Sequence, residues 1–313
     1  MKPMLATLID EPFDSKEWIF EKKYDGFRAL AHKNKTVQLL SRNNLSFNER
    51  FQQIVKEVEQ LPGTFVLDGE IVILDKKGVS HFQLLQNYKK NPKQIPYYYL
   101  FDILSYKGKD LTSYPLTERR KILRALIQKH PSKHLRFSKS VDTKGKALFQ
   151  KAKKEHWEGI IAKKKESLYH QSRSREWLKI KTHLRQEFVI GGYTAPQGSR
   201  KRFGALLVGV YSGKELLYAG HVGGGFDQKM LDIVYKMLQK HLSTTCPFSK
   251  EPKPNAKVFW LKPKLVCEVS FSEWTASGSL RQPIFRGMRP DKPAHKVIRE
   301  TPNRIGKPSQ RGC

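Results

Sequence analysis

The chain has 313 residues, with 59 Lys+Arg against 29 Asp+Glu and a formal net charge of +30. That length exceeds what one hydrophobic core usually serves, so two domains are expected. The cations are spread over both halves without acids in similar number, which points past a solubilising surface to a polyanionic partner, a nucleic acid.

The three cysteines, Cys246, Cys267 and Cys313, form no CxxC pair. This argues against a disulfide framework or a structural zinc and fits a reducing compartment. No apolar run approaches a membrane span, so a soluble, cytoplasmic and nucleoid-associated protein is expected.

In chain order, a strand over Trp18 to Lys22, a sharp Tyr24-Asp25-Gly26 turn and two further strands either side of Asn34 read as an antiparallel meander. Phe47, Phe51, Ile54, Val55, Val58 and Leu61 recur at helical spacing before Pro62-Gly63, and this stripe reads as core. Strands follow at Thr64 to Leu74 and Pro96 to Ser105, separated by a helix near Ser80 to Tyr88. A helix then runs from Thr117, as N-cap, to about Lys129. Another over Lys144 to His156 leads to strands at Gly159 to Ala162 and Trp177 to Lys181, completing an α+β domain with antiparallel sheets. Trp18, Trp157, Trp177 and Trp260 read as core.

After about His183 the texture changes to short strands: Glu187 to Tyr193, Ala205 to Tyr211, Leu216 to Gly220, Val258 to Trp260 and Leu265 to Phe271, with one amphipathic helix over Phe226 to Leu242. Five strands with a helix after the third is the pattern of an OB-fold β-barrel. The expected division is 1–183, 184–298 and a flexible basic tail over 299–313.

Five segments carry chemistry in combination. Lys23-Tyr24-Asp25-Gly26 sits at a strand-to-turn junction, where a lysine can enter a cleft. Asp68 and Glu70 lie two apart on one strand and hence on one sheet face. Phe101-Asp102 closes an aromatic strand, Glu158-Gly159-Ile160-Ile161-Ala162-Lys163 opens another, and Lys179 and Lys181 alternate onto one face of a third.

These segments resemble the covalent nucleotidyltransferases, and specifically the ATP-dependent DNA ligases. The likeness extends to Ser41-Arg42-Asn43 and to the run from Arg281 to Lys292. Through Pro3-Met4-Leu5-Ala6, Tyr169 to Ser174 and Val266 to Thr275 it is most similar to the ligase module of the bacterial end-joining ligase D group, with Val222 to Phe226 departing slightly. Polymerase and phosphoesterase modules often fused to it are not in this sequence, so a free-standing ligase is the expectation. The resemblance implies an ATP-grasp-like ligase fold, followed by the OB-fold domain.

It also implies that Lys23 takes AMP from ATP and that Lys179, Lys181, Asp291 and Lys292 assist catalysis. Glu21, Arg28, Arg42, Glu70, Phe101, Lys179 and Lys181 would bind the nucleotide, with Phe101 stacked on adenine and Glu70 on the ribose. Glu158, with Asp25 and Glu70, would hold Mg²⁺ or Mn²⁺, and Arg42, Arg173, Arg281 and Arg289 would meet DNA. The partners implied are nicked or broken duplex DNA and a Ku-like end-binding protein, with the ligase monomeric.

Lysine attacks phosphorus only as the neutral amine. Burial, with Lys179 and Lys181 nearby, is expected to lower the pKa of Lys23. The rival readings are an RNA ligase, a capping guanylyltransferase, an NAD⁺-dependent ligase (disfavoured by the lack of cysteine pairs) and a non-catalytic DNA-binding protein. The second domain is expected to close over ATP and swing away about a hinge near Thr182 to Gln186.

Overall fold

The computed structural model describes residues 1–86, 88, 94–198, 200–252 and 255–301. They form two compact units, Met1–Thr182 and His183–Glu300.

The first unit contains, in chain order, β1 (Leu5–Leu8), β2 (Ser15–Lys23), β3 (Phe27–Lys33), β4 (Val37–Ser41), α1 (Gln52–Gln60), β5 (Phe65–Ile73), α2 (Phe82–Gln86), β6 (Pro96–Tyr106), β7 (Lys109–Asp110), α3 (Leu116–Lys129), β8 (Leu135–Phe137), β9 (Ser140–Thr143), α4 (Gly145–Lys154), β10 (Gly159–Lys164) and β11 (Arg173–Lys181). One sheet has the order β1-β11-β10-β2-β9; the other is β4-β3-β5-β6-β7, with β8 on β6. All pairs are antiparallel except β1 with β11 and β6 with β8.

The expected meander over Trp18 to Arg42 is therefore broken, since β2 belongs to one sheet and β3–β4 to the other. Tyr24-Asp25-Gly26 is the crossover between them. Only glycine fits at Gly26, where a Cβ would lie 2.1 Å from the Ile71 carbonyl oxygen. Thr117 lies inside α3, whose N-cap is Pro115 without a side-chain cap; the proline, with its fixed φ, sets the helix start in place of a hydroxyl.

Strand alternation explains the layering. Phe20, Ile160, Ala162, Leu178 and Ile180 pack with Phe149 and Ala152 of α4 on the outer face of the first sheet. Behind the second sheet, Phe27, Ala29, Leu67, Ile71, Tyr98 and Leu100 pack with Phe51, Ile54 and Val58 of the α1 region and Leu123 of α3, so the aromatic stripe is core. The two remaining faces meet over a smaller cluster of Met4, Ile19, Leu30, Phe101, Tyr169 and Trp177. The polar side chains on those inner faces form the cleft.

The second unit contains β12 (Leu184–Thr194), β13 (Leu206–Ser212), β14 (Glu215–Val222), α5 (Gln228–Leu238), β15 (Leu242–Ser243), β16 (Val258–Phe271), β17 (Glu273–Trp274), β18 (Leu280–Arg281) and β19 (Ile284–Met288). Asp227 caps α5 by accepting the Met230 amide at 2.7 Å. The main sheet runs β14-β13-β12-β16, with β19 also on β16 and a parallel bridge from Gly224 to Ile284, the strand order of an OB-fold. The two short strands expected between Val258 and Phe271 are one strand, whose irregularity lies where β12 bulges at Gly191.

Arg299 and Glu300, expected to open the tail, make contacts within the second unit. Arg299 lies 4.4 Å from the Trp274 ring centroid, and the Glu300 amide donates to Gln186 Oε1 at 3.1 Å. The remainder of that expected segment, 302–313, is outside the described residues. Among the described residues, no helix is long and apolar enough to cross a membrane.

Candidate active site

In the first sheet the register aligns Lys23 with Gly159 and Gly159 with Lys181, and one step inward Glu21 with Ile161 and Ile161 with Lys179. Residues directly opposite one another share a face. Lys23, Glu21, Lys163, Lys179 and Lys181 therefore all project from the face that looks into the cleft. Gly159 permits this row: a Cβ there would lie 2.1 Å from the Ile180 carbonyl oxygen. From the facing sheet, Arg28 stands opposite Glu70 and Leu30 opposite Asp68, again on the cleft side.

Lys23 Nζ makes a direct ion pair with Glu158 Oε1, with both side chains largely buried. Burial alone would push the Lys23 pKa down. The Glu158 carboxylate, reinforced by the fields of Glu70 and Asp25, more than offsets it and raises the pKa above the ordinary lysine value. This is the reverse of the expected direction: the nearest charge is an acid in contact, so the amine is held as ammonium.

Asp25 is buried at the crossover. Its carboxylate accepts the Phe82 amide at 3.0 Å while its own amide donates to Ser80 Oγ at 2.9 Å, tying the crossover to the start of α2. Glu158 is the acid in contact with the amine, and the fields of Glu70 and Asp25 also reach it.

Arg28 is held bidentately by Asp68, both contacts 2.6 Å, and also donates to the Met4 carbonyl at 3.1 Å. Asp68 further accepts the Tyr169 hydroxyl at 2.7 Å. The Arg28 guanidinium lies 4.7 Å from the Phe101 ring centroid and the Lys163 amine 4.1 Å from it. Phe101 is thus a buried ring packed by cations and Trp177. The Glu21 carboxylate is buried and paired with Arg120 at 2.5 Å and Lys163 at 3.1 Å, so any nucleotide contact from this position falls to its backbone. Arg42 follows the last residue of β4, half-buried.

Lys163 was legible within its segment but carried no assigned role. Its signal is alternation: it is the charged residue in phase with Ile161 on a strand whose other face is core. Burial lowers its pKa to about 8, against the opposing pull of Glu21.

In the second unit, Arg289 is bidentate to Asp291, both contacts 2.9 Å, and 3.1 Å from Glu268, while Lys292 lies 3.6 Å from Glu187. Arg289 is largely buried among carboxylates, which departs from the expected DNA contact: its donors are engaged inside its own unit. Arg173 and Arg281 are exposed, Arg173 donating to the Ala6 carbonyl at 2.6 Å and Arg281 pairing with Glu273 at 2.7 Å.

Residues 3–181 match the family model of the ATP dependent DNA ligase domain, and residues 199–292 that of the ATP dependent DNA ligase C terminal region. The chain belongs to the ATP-dependent DNA ligases. This ligase is 40% identical to the multifunctional non-homologous end joining protein LigD of Pseudomonas aeruginosa, over 99% of the chain and 38% of that protein. It is 36% identical to the LigD of Mycobacterium tuberculosis over 96% of the chain and 40% of that protein, so it spans about two fifths of the length of these relatives. Its fold is similar to a solved mycobacterial DNA ligase D complexed with ATP and MES, with a TM-score of 0.73 and 35% identity, covering 96% of this chain and 98% of that one.

The Met1–Thr182 unit of the ligase thus coincides closely with the first family match and contains the Lys23 cleft. The Asp291 and Lys292 pairings fall at the end of the second match.

Proposed function

We propose that this chain seals 5′-phosphate/3′-hydroxyl breaks in duplex DNA through a Lys23–AMP intermediate, in double-strand end joining. The observation that supports it most is the Lys23–Glu158 contact on a sheet face that also carries Lys179 and Lys181. A cleft that gathers a nucleophile, an acid and two further cations from three strands suits phosphoryl transfer, where catalysis is positioning plus charge stabilisation.

In the first step the Lys23 amine attacks the α-phosphorus of ATP. The ammonium first gives up one proton to become the neutral nucleophile; the N–P bond then forms, the α–β bridging P–O bond breaks, pyrophosphate leaves with its electrons and the nitrogen releases its second proton to solvent. Glu158, already in contact with Nζ, is placed to receive the first of these protons. Lys179 and Lys181 would neutralise charge developing on the phosphates. A 5′-phosphate oxygen of DNA then displaces Lys23 from AMP, the amine regains its proton, and the 3′-hydroxyl displaces AMP to close the backbone.

The donor set suits a divalent cation that keeps most of its water. Glu158 and Glu70 flank the same amine, and among the described residues no group of three His, Cys, Asp or Glu forms an all-protein cage. These two acids would hold Mg²⁺ or Mn²⁺, which when bound supplies Lewis-acid neutralisation of the triphosphate.

Asp291 and Lys292 would assist release of pyrophosphate when the second unit closes. The ATP-grasp-like description of the first unit, closure of the OB strands into a complete barrel, a Ku-like partner and a monomeric state belong to the same proposal. Incubating the chain with nicked DNA and ATP, nicked RNA and ATP, or nicked DNA and GTP tests it. Sealing is expected only with DNA and ATP; sealing of RNA alone, or use of GTP, would refute it. Ligation of cohesive and blunt ends with and without a Ku-type protein tests the end-joining assignment.

A further inference from the structure

Seven side chains along the rim of the first unit beside Lys23 take no part in the chemistry above and form an interleaved series of rings and cations, the tyrosines and Arg136 on the cleft side and Lys22, Trp157 and Lys151 on the α4 side of the first sheet. Tyr97 and Tyr99 share a face of β6, being two residues apart, and Phe101 is the buried inner end of that row. Outward from it, Tyr99 stacks on Tyr24 with ring centroids 4.2 Å apart and planes at 22°. Tyr97 lies 6.5 Å from Tyr99, and the Arg136 guanidinium 5.4 Å from Tyr97. On the other side, Lys22 Nζ lies 5.7 Å from the Tyr24 ring and 4.6 Å from Trp157, and Lys151 lies 5.7 Å from Trp157.

Trp157 packs against the outer-face cluster of Phe20, Phe149 and Ile160, as its type suggested, but is only partly buried. It, the three tyrosines, Lys22 and Arg136 are all half-buried, and Lys151 is exposed. Unlike Arg28 and Lys163, which pack on Phe101 and Trp177 inside the unit, these rings and cations reach the surface in one row. The combination suits one class of ligand, a strand whose unpaired bases stack on the rings while its phosphates meet the cations. Bases inside a duplex are already stacked and cannot use it. The acids whose fields reach Lys22, Glu155 and Asp75, temper that one cation, while Arg136 and Lys151 flank the series at its two ends. Tyr24 directly follows Lys23, so a strand lying on the series arrives at the amine that would carry AMP.

We infer that the series Arg136–Tyr97–Tyr99–Tyr24–Lys22–Trp157–Lys151 is a binding track for the unpaired nucleotides beside a break, the single-stranded overhang of a DNA end. This deepens the proposed DNA-joining function and rests on it. The track sets a preference for overhanging ends that nick sealing does not require.

The test uses the full chain and the variants Tyr97→Ser, Trp157→Ser, their combination, and Tyr97→Phe, which keeps the ring. Binding to fluorescent oligothymidylate of about 12 nucleotides is read by anisotropy at fixed salt, next to blunt duplex, with uptake of labelled AMP as the check on folding. Each serine variant is expected to bind oligothymidylate roughly 10-fold more weakly and the double variant roughly 100-fold, with Tyr97→Phe within about 2-fold of the parent. Blunt-duplex binding, AMP uptake and nick sealing stay unchanged, while sealing of overhanging ends falls with oligothymidylate affinity. Unchanged oligothymidylate binding in an AMP-competent double variant overturns the track, as does an equal loss for blunt duplex. A parent chain that takes up no AMP refutes the ligase reading instead, separately from the oligothymidylate result.

Discussion

Lys163 offers a quantitative test of the cleft's electrostatics. Its amine is almost wholly buried, 3.1 Å from Glu21, in a group where Arg120 already neutralises that acid. Burial brings its pKa from 10.5 to about 8, so the folded state binds the proton less well than the unfolded chain. The charged lysine therefore costs about 3 kcal/mol near neutral pH, a penalty fully present below the folded pKa and relieved as pH rises from there toward the unfolded value. Contacts of the amine with Phe101 and Trp177, at 4.1 and 4.3 Å, return part of it, about 1–2 kcal/mol.

Lys163→Met removes the charge, leaves the Glu21–Arg120 pair intact and lays a thioether on the same rings. The variant is expected to be more stable by about 1–2 kcal/mol at neutral pH, an advantage that disappears by about pH 9.5 as the parent sheds its proton. Urea unfolding of both proteins across that range measures it. A variant less stable at neutral pH, or a difference that does not change with pH, would refute the reasoning.

Three other outcomes follow from the ion pairs. The pH midpoint for acylation of Lys23 by acetic anhydride should lie above that of an ordinary lysine and fall below it in Glu158→Gln, because burial then outweighs Glu70 and Asp25; peptide mass spectrometry reads it, and an unmoved midpoint contradicts the Lys23–Glu158 account. Arg289→Leu removes the bidentate partner of Asp291 and one of the two arginines on Glu268, the other being Arg185, so the second unit should lose about 3 kcal/mol of stability while DNA affinity of the folded protein holds; lost DNA affinity at unchanged stability would restore the phosphate-contact role. Lys292→Ala should stop AMP uptake yet still seal pre-adenylated DNA, and equal loss of both would remove its step-specific role.

Much of the cleft was legible because its residues come in short runs whose spacing fixes their face. Lys179 and Lys181 alternate on β11, and Asp68 and Glu70 on β5, so the sequence alone places each pair on one side of a strand. What it could not give was register between distant strands. The Lys23–Glu158 contact depends on β2 pairing with β10 across more than a hundred residues, and that contact reverses the expected shift in the lysine's pKa.

The same holds for Tyr24 to Gly26, which looks like a hairpin turn locally and is a crossover between sheets, a distinction made only by β10 and β9 occupying the places beside β2. Short elements with little periodicity, β1, β8, β9 and β19, escaped for a related reason: each owes its form to a longer neighbour. Arg289 shows the converse limit, since an arginine in a basic segment reads as a phosphate ligand until the carboxylates of β12 and β16 are folded around it.

The account depends most directly on which side chain carries the nucleotide. Incubation with α-labelled ATP and Mg²⁺, followed by digestion and mass spectrometry, should place a single adenylyl group on the Lys23 amine, with none in Lys23→Ala. An adenylyl group on another residue, or a chain that takes up none, would contradict it.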